Sequence, residues 1–396
     1  MDDKERMALP GKAVAAEAVS LKPDAMAAVE EVLAKLQEDI GGAPDLVVVF
    51  ATPHHRAALS DVIQLVHGRL QPDALIGSTL SGVVSGGREH QVGPALSIWA
   101  ARLPGTRVQA FRLDLDVDNS RILGWPDVGE SASIALFADP FSFPLEPFFD
   151  SLRRLDELPV VIGGLASGAD RAGENMLFSD GELHQSGAVG FVMDGAFRLE
   201  PVVAQGCRPI GPSFTVTRAE GNVVYELGGK SAYTELSEML VVADDEARQL
   251  FMRAPQIGIQ PAPLPHGEAG GDLLTRAVMG VDPDEGAIAV TDELGEGDSI
   301  QFQARDRDHA RAELQSLAEL AGSYCPKAVG GLLFICTGRG LPFFQRADHD
   351  IEVVHDVWPE LPVGGGFVAG EIGPVCGKPY IHGLSAVFGL LVPREA

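Results

Sequence analysis

The spacing of apolar residues near the start of the chain predicts helices alternating with buried strands. Apolar positions recur at helical spacing across 23–40 and again across 57–70. Short apolar runs at 46–50 and 74–79 are typical of buried strands. We therefore expect a β-α-β opening with some parallel strand pairing.

Farther along the chain, shorter strands and more turns replace this alternation. The pattern predicts two strands within 94–115, joined as a hairpin at Pro104-Gly105, and a meander of short strands across 176–226. Further strands are expected at 133–138, 159–163, 274–280, 286–290, 299–304, 330–338, 362–367 and 382–392, and further helices at 147–155, 230–252, 307–322 and 347–357. The fold class is therefore α/β (mixed α+β), with mixed parallel and antiparallel sheets packed by helices. No close internal repeat is visible.

The length of the chain bears on its domain organisation. At 396 residues it exceeds the ~250–300 residues at which a single hydrophobic core stops growing, so two domains are expected. The polar start at 1–22 suggests a loosely ordered segment, followed by an N-terminal domain over 23–228. A helical connector with a Pro/Gly-rich crossing then occupies 229–271, and a C-terminal domain occupies 272–396.

Charge and cysteine content restrict the partners and the compartment. The formal net charge of −26 disfavours nonspecific binding to nucleic acid or to anionic membranes, so neither is expected as a partner. The four cysteines contain no C-x-x-C pair, which suits a reducing cytoplasm. We find no secretory signal and no apolar run near the ~20 residues of a membrane helix, and we expect a cytoplasmic protein.

The segment Cys336-Thr337-Gly338-Arg339-Gly340 is the strongest candidate for ligand chemistry. It directly follows an apolar strand, and strand ends are where ligands bind in α/β folds. Glycine lets the backbone approach a ligand, and arginine offers a planar fork for a carboxylate or phosphate. The alternative is a tight turn whose arginine pairs with a nearby acid.

A second glycine-rich segment, 364–374, surrounds a single carboxylate, Glu371. This composition suggests a backbone kept clear of side chains near a site; the alternative is a hairpin with Glu371 in solvent. His382 follows at the start of a predicted strand, a position that favours a structural histidine over a ligand-binding one.

Two further turns follow strands in the N-terminal half. Gly77-Ser78-Thr79-Leu80-Ser81-Gly82 could donate hydroxyl hydrogen bonds to a polar ligand, and 163–168 has a similar context. Neither is a Walker A loop, and no G-x-G-x-x-G opens a helix after a strand, so no nucleotide or other cofactor is expected.

Catalytic templates fit less well. His349, Glu352 and His355 would share one helix face, which is compatible with a divalent metal site but equally with an exposed amphipathic helix. Cys336 could act as a nucleophile only if His382 or His355 served as its base. No metal and no catalytic residue is assigned.

Taken in order along 45–392, these segments resemble the FIST family. C-T-G-R-G at 336–340 and G-G-F-V-A-G-E-I-G-P at 365–374 resemble its C-terminal half. G-S-T-L-S-G at 77–82, G-G-L-A-S-G at 163–168, G-A-V-G at 187–190 and Q-G-C-R-P-I-G at 205–211 resemble its N-terminal half. The resemblance implies an intracellular sensory module that binds small ligands, with amino acids suggested. Because we recognise no output domain in this chain, we expect it to signal through a separate partner protein.

This resemblance leads to a specific hypothesis of small-ligand sensing. Arg339 is expected to pair with a ligand carboxylate and Glu371 to meet an ammonium or hydroxyl group. The predicted ligand-binding set is Arg339, Glu371, Cys336, Gly338, Gly340, Ser78, Thr79, Ser81 and His382. The alternatives are a metal- or cysteine-dependent hydrolase or transferase, and a protein-interaction scaffold without a small ligand.

Overall fold

The computed structural model describes residues 12–116, 121–129, 131–154, 158–260 and 273–394, and it divides into two compact units. The first unit is formed by the chain up to Val203 and from Leu314 onward, and the second by Ala204–Glu313. Helices pack on mixed sheets, so the predicted α+β class with two domains is confirmed. The second unit is inserted into the sequence of the first, which is therefore formed by two separate stretches of the chain.

The described residues up to Arg102 contain a strand that the sequence analysis did not anticipate. Their elements are β1 (Val14–Ser20), α1 (Ala25–Ile40), β2 (Leu46–Ala51), a 3₁₀ helix (Pro53–Ala58), α2 (Leu59–Leu70), β3 (Ala74–Thr79), β4 (Val83–Ser85), β5 (Arg88–His90) and β6 (Leu96–Arg102). Strand β1 lies in the segment expected to be loosely ordered, and its alternating burial explains why it is not. Helix α1 begins where Asp24 accepts a hydrogen bond from the Ala27 N–H and ends at left-handed Gly41.

The next stretch corrects the hairpin predicted at Pro104-Gly105. Its elements are β7 (Thr106–Asp116), β8 (Arg121–Leu123), β9 (Ser133–Ala138), α3 (Leu145–Leu152), β10 (Val160–Leu165), β11 (Leu177–Ser179), β12 (Glu182–His184) and β13 (Ala188–Gly195). The two strands exist, but β6 pairs with β1 and β2 while β7 pairs with β13 and β8. The turn therefore passes the chain from one sheet to another.

The second unit is built around a seven-stranded sheet. After β14 (Phe197–Ala204) come β15 (Cys207–Glu220), β16 (Val223–Leu227), β17 (Lys230–Ser231), α4 (Ala232–Val242), α5 (Asp245–Arg253), β18 (Pro255–Gln260), β19 (Leu274–Asp282), β20 (Ala287–Val290) and β21 (Ser299–Arg305). The strand order is β15-β21-β18-β19-β20-β16-β17. The helix predicted over 230–252 is two helices, because Asp244 caps a new start. The predicted Pro/Gly-rich crossing falls partly in β18, and its remainder lies outside the described residues.

The chain then completes the first unit. Its last elements are α6 (Arg307–Tyr324), β22 (Gly330–Cys336), α7 (Gly340–Phe344), α8 (His349–Val357), β23 (Val363–Val368), β24 (Glu371–Val375), β25 (Lys378–His382) and β26 (Ala386–Pro393).

The first unit contains one strand pattern three times. In each of its three sheets a parallel pair lies at the centre, β2–β3, β9–β10 or β22–β23. On one side of the pair lie an antiparallel strand and its outer neighbour, and on the other side lies a short hairpin. We call β1–β6 repeat one, β7–β13 repeat two, and β14 with α6–β26 repeat three.

The hairpins are exchanged between the repeats in a cycle. Hairpin β4–β5 of repeat one pairs with β23 of repeat three, β11–β12 of repeat two pairs with β3, and β24–β25 of repeat three pairs with β10. Each sheet is therefore completed by the hairpin of another repeat.

The three sheets share a single core, in which one equivalent phenylalanine from each repeat is buried. Phe137 packs edge-to-face against Phe50 and Phe334, with ring centroids 5.6 and 5.5 Å apart. All three side chains are buried in one apolar cluster drawn from every repeat. Separate clusters on the outer faces hold α1 and α2, α6 and α8, and α3 against their respective sheets.

Candidate functional site

Arg339 is held in the protein interior by Asp350, an acid in helix α8. It lies in the turn between β22 and α7, and its side chain is fully buried. Its Nε donates to Oδ2 of Asp350 at 2.9 Å and its Nη2 to Oδ1 at 2.8 Å. A third hydrogen bond runs from Nη1 to the Leu384 carbonyl at 3.3 Å. This bidentate pair ties the turn to the first turn of α8.

Asp350 remains a carboxylate despite its burial. Burial alone would raise the pKa of Asp350, but the Arg339 charge and the His349 hydrogen bond outweigh it and hold that pKa below its usual range. The Nδ1 atom of His349 lies 2.9 Å from Oδ1, and the imidazole stacks on Phe344 with 3.4 Å between ring centroids.

Glu89 brings a second buried carboxyl to the same helix, and no sequence motif marked it. Its Oε1 accepts hydrogen bonds from the N–H groups of Asp350 at 2.7 Å and Ile351 at 3.2 Å. Burial first, and then the charge of Asp350, raise the pKa of Glu89 to about 7. Because Glu89 belongs to the β4–β5 hairpin, a side chain of repeat one hydrogen bonds to the start of helix α8 in repeat three.

Glu371 occupies a position that is apolar in the other two repeats. Strand register defines three equivalent rows across the sheets: Ser97–Phe50–Ser78–Leu177–His184, Val189–Phe137–Gly164–Glu371–His382 and Val387–Phe334–Gly366–Val83–His90. Leu177 and Val83 are fully buried in the shared core, and Glu371 is equally buried. A carboxyl group therefore replaces an aliphatic side chain in one of three equivalent places.

The Glu371 carboxyl is only partly satisfied. The N–H and hydroxyl of Ser385 donate to Oε2 at 3.1 and 2.6 Å. Among the residues that the structure describes, Oε1 has no hydrogen-bond partner. Burial raises the pKa of Glu371 to about 8, although Ser385, Cys336 and the Arg339 charge act in the opposite direction. The group is thus mostly neutral near pH 7.

Cys336 lies beside this carboxyl at the end of β22. Burial, and then the Glu371 charge, raise the pKa of the Cys336 thiol to about 12. The thiolate is the nucleophilic form of cysteine, so this environment opposes the nucleophile considered from the sequence. The backbone N–H groups of Gly338 and Leu384 point at the sulfur.

His382 has a counterpart in each repeat. His90, His184 and His382 end the three equivalent rows. Nε2 of His382 donates to the Gly373 carbonyl at 3.2 Å, and Nε2 of His90 donates to the Ser85 carbonyl at the same distance. This recurrence favours a structural role for His382 within its hairpin.

Gly340 is required by the backbone. Its φ is +39°, and an added Cβ would lie 2.3 Å from Oε1 of Gln91. That Gln91 oxygen accepts the Leu341 N–H at 2.9 Å. A side chain of repeat one therefore stabilises the turn after β22.

The hydroxyl turn after β3 is only partly available to a ligand. Thr79 Oγ1 accepts the Met176 N–H at 2.9 Å, and Ser78 Oγ donates to the Thr79 carbonyl at 3.2 Å. Ser81 is exposed, and its N–H donates to Ser167 Oγ at 2.9 Å. None of Ser78, Thr79 and Ser81 is hydrogen bonded to the Glu371 carboxyl; all four are described residues.

The three side chains considered as metal ligands on helix α8 do not converge on one point. His349 is buried against Phe344, and the half-buried Glu352 pairs with Arg346. Nε2 of His355 donates to the Leu361 carbonyl at 3.2 Å. Within the described ranges, no group of three or more histidine, cysteine or acidic side chains could hold a metal ion.

Comparison with known proteins gives the family. The FIST N domain matches residues 45–230 and the FIST C domain matches residues 232–374. The chain belongs to the FIST family. FIST domains are sensory domains of signal-transduction proteins that bind small ligands.

Similar full-length proteins occur in mycobacteria. An uncharacterized protein of Mycobacterium tuberculosis is 36% identical over 94% of this chain and 98% of its own length. An uncharacterized protein of Mycobacterium bovis is 34% identical over 94% of this chain and 97% of its own. Across the described part of this FIST protein, no helix is long and apolar enough to cross a membrane.

Proposed function

We propose that this FIST protein is a cytoplasmic small-ligand sensor whose ligand presents an ammonium or hydroxyl donor to Glu371. The observation that carries the proposal is a fully buried carboxyl whose Oε1 has no hydrogen-bond partner among the described residues. Burying such a group costs free energy that an aliphatic residue avoids. In the two equivalent rows this position is taken by the aliphatic residues Leu177 and Val83. A ligand donor that completes its hydrogen bonding explains why the carboxyl is there.

An amino acid or another small amine fits this acceptor best. A ligand ammonium would convert Glu371 from its neutral form to a paired carboxylate. The predicted contact between Arg339 and a ligand carboxylate stays a prediction, and the bidentate bond to Asp350 favours a positioning role for Arg339. The signal would pass to a separate partner protein.

Access to Glu371 requires a local opening, and the segment 383–385 is suited to it. Leu384 adopts a left-handed conformation with φ +63°, which is unfavourable for a residue with a Cβ. The same segment bonds to Glu371 through Ser385 and to Arg339 through the Leu384 carbonyl. Displacing it would expose the carboxyl and release the arginine together, which couples binding to a conformational change.

A thermal-shift screen of amino acids, small amines, carboxylates and divalent metals tests the proposal. A ligand at 100 times its dissociation constant adds about 2.7 kcal/mol to the native state. We expect an amine or amino acid to raise the midpoint of the wild-type protein and of the surface control Glu38→Gln, but not of Glu371→Gln.

The other outcomes point to the alternative functions. A hit that survives in Glu371→Gln places the ligand elsewhere and refutes this site. A response to metal alone would favour a metal-dependent enzyme, and no response to any compound would favour an interaction scaffold.

A further inference from the structure

Asp139 takes in repeat two the position that Cys336 takes in repeat three. Each residue lies two positions beyond the core phenylalanine of its repeat. The Asp139 N–H donates to the Gly187 carbonyl at 2.9 Å and the Cys336 N–H to the Ser385 carbonyl at 3.0 Å. Both acceptors lie just before the last strand of their repeat, so the two strand ends are equivalent.

Asp139 is a fully buried acid held only by neutral donors. Its side chain is 0% exposed. Oδ2 accepts from Ser142 Oγ at 2.6 Å, and Oδ1 accepts from Asn175 Nδ2 at 3.0 Å. Ser142 Oγ also accepts the Gly187 N–H at 3.0 Å, which fixes its direction. In the described parts of the chain, no arginine, lysine or histidine forms an ion pair with Asp139.

Asn175 supplies an unused acceptor beside this carboxyl. Its side chain is also 0% exposed, and its Oδ1 has no hydrogen-bond partner among the described residues. A carboxylate and an amide oxygen are the ligands that hard cations prefer. Both atoms also accept hydrogen bonds from an ammonium ion.

We propose that Asp139 and Asn175 form a binding site for a monovalent cation, either an alkali metal ion or ammonium. One buried negative charge is balanced by one positive charge, whereas a divalent ion would leave an uncompensated charge in the interior. This site is independent of Glu371, because it uses the strand end of a different repeat.

Thermal midpoints in different chlorides test this site. The full chain is compared in sodium, potassium, ammonium and choline chloride at equal ionic strength, because choline is too large for a buried site. The wild-type midpoint should be higher in at least one small cation than in choline, and it should rise with the logarithm of that cation's concentration. Equal midpoints in all four salts would overturn the proposal.

Substitution of Asp139 distinguishes a role in cation binding from a purely structural role for this acid. Asp139→Asn should lose the difference between the salts, whereas Glu38→Gln should keep it. In choline, Asp139→Asn should be at least as stable as the wild type, because it removes a buried charge that has no counterion. A variant that is less stable by the same shift in every salt would show that Asp139 is purely structural.

A direct measurement keeps the proposal testable if the variant fails to fold. Crystals of the wild-type protein grown in rubidium chloride should show an anomalous peak in contact with Asp139 and Asn175. A water without anomalous signal at that place would refute the cation site.

Discussion

Replacing Glu371 by glutamine should remove most of a pH-dependent loss of stability. Glutamine keeps the shape of the side chain and an oxygen that can accept from Ser385, but it cannot ionise. In the wild type, the pKa of Glu371 is raised above the ordinary 4.5 to about 8 by burial. Its contribution to stability is therefore fully present below pH 4.5 and is lost as the pH rises through about 8.

The size of the effect follows from the raised pKa. Each pKa unit corresponds to about 1.4 kcal/mol. Ionising a buried carboxyl with a pKa of about 8 instead of 4.5 thus removes roughly 5 kcal/mol in full, and about 4 kcal/mol of this between pH 5 and 9. Glu89, whose pKa is raised to about 7, adds a second and smaller loss of the same sign.

Urea unfolding followed across this pH range measures the prediction. The free energy of unfolding of the first unit should fall with pH in the wild type and in Glu38→Gln. Glu371→Gln should flatten the curve and cross above the wild type on the alkaline side, and Glu89→Gln should flatten it less. A Glu371→Gln curve parallel to the wild type would refute the reasoning, because the carboxyl would then not titrate between these pH values.

Three further substitutions or reactions probe the same region. Arg339→Ala should cost roughly 3–5 kcal/mol by urea unfolding, because it leaves a buried carboxylate unpaired, and Arg339→Lys should recover only part since it lacks the planar fork. In the folded protein, Cys336 should react with a thiol reagent far more slowly than the exposed Cys376, and the difference should vanish in urea. Gly164→Ala should destabilise by roughly 1–3 kcal/mol, because the added Cβ would lie 2.5 Å from a valine methyl of β23. The helical control Gly68→Ala, with open space around it, should stabilise by about 0.5–1 kcal/mol.

The individual elements could be predicted from the sequence because their signals are local. Helix α1 has helical spacing and a glycine stop, and β22 is a continuous apolar run before a glycine-rich turn. Strand pairing is not local, and this is why the hairpin at Pro104-Gly105 was wrong. A turn pattern predicts that the chain changes direction, but it does not predict which sheet the next strand joins.

The threefold pattern was missed although a faint signal was present. Residues 77–82, 163–168 and 365–370 all have the form G-x-x-x-S/A-G, and each follows or ends the second strand of a parallel pair. The helices and loops around them differ in length, and the second unit interrupts repeat three, so the repeat has no constant period. Only the register of the sheets makes the equivalence visible.

The candidate site was predicted in part. Glu371 and Cys336 were selected from glycine-rich segments, and they lie together. Their neighbours Ser385, Asp350 and Glu89 were not selected. Glu89, for example, lies 261 residues before Asp350, whose N–H it accepts. Such contacts depend on the exchanged hairpins, which sequence patterns alone do not reveal.

Proton release on ligand binding tests the sensor proposal most directly. Calorimetric titration of the amine ligand near pH 7, in buffers of different ionisation enthalpy, gives the number of protons exchanged. If an ammonium group pairs with Glu371, whose pKa is about 8 in the free protein, binding should release close to one proton per ligand, and Glu371→Gln should abolish that release. Binding without proton release, or an equal release in Glu371→Gln, would contradict the assignment of Glu371 as the ligand's anchor.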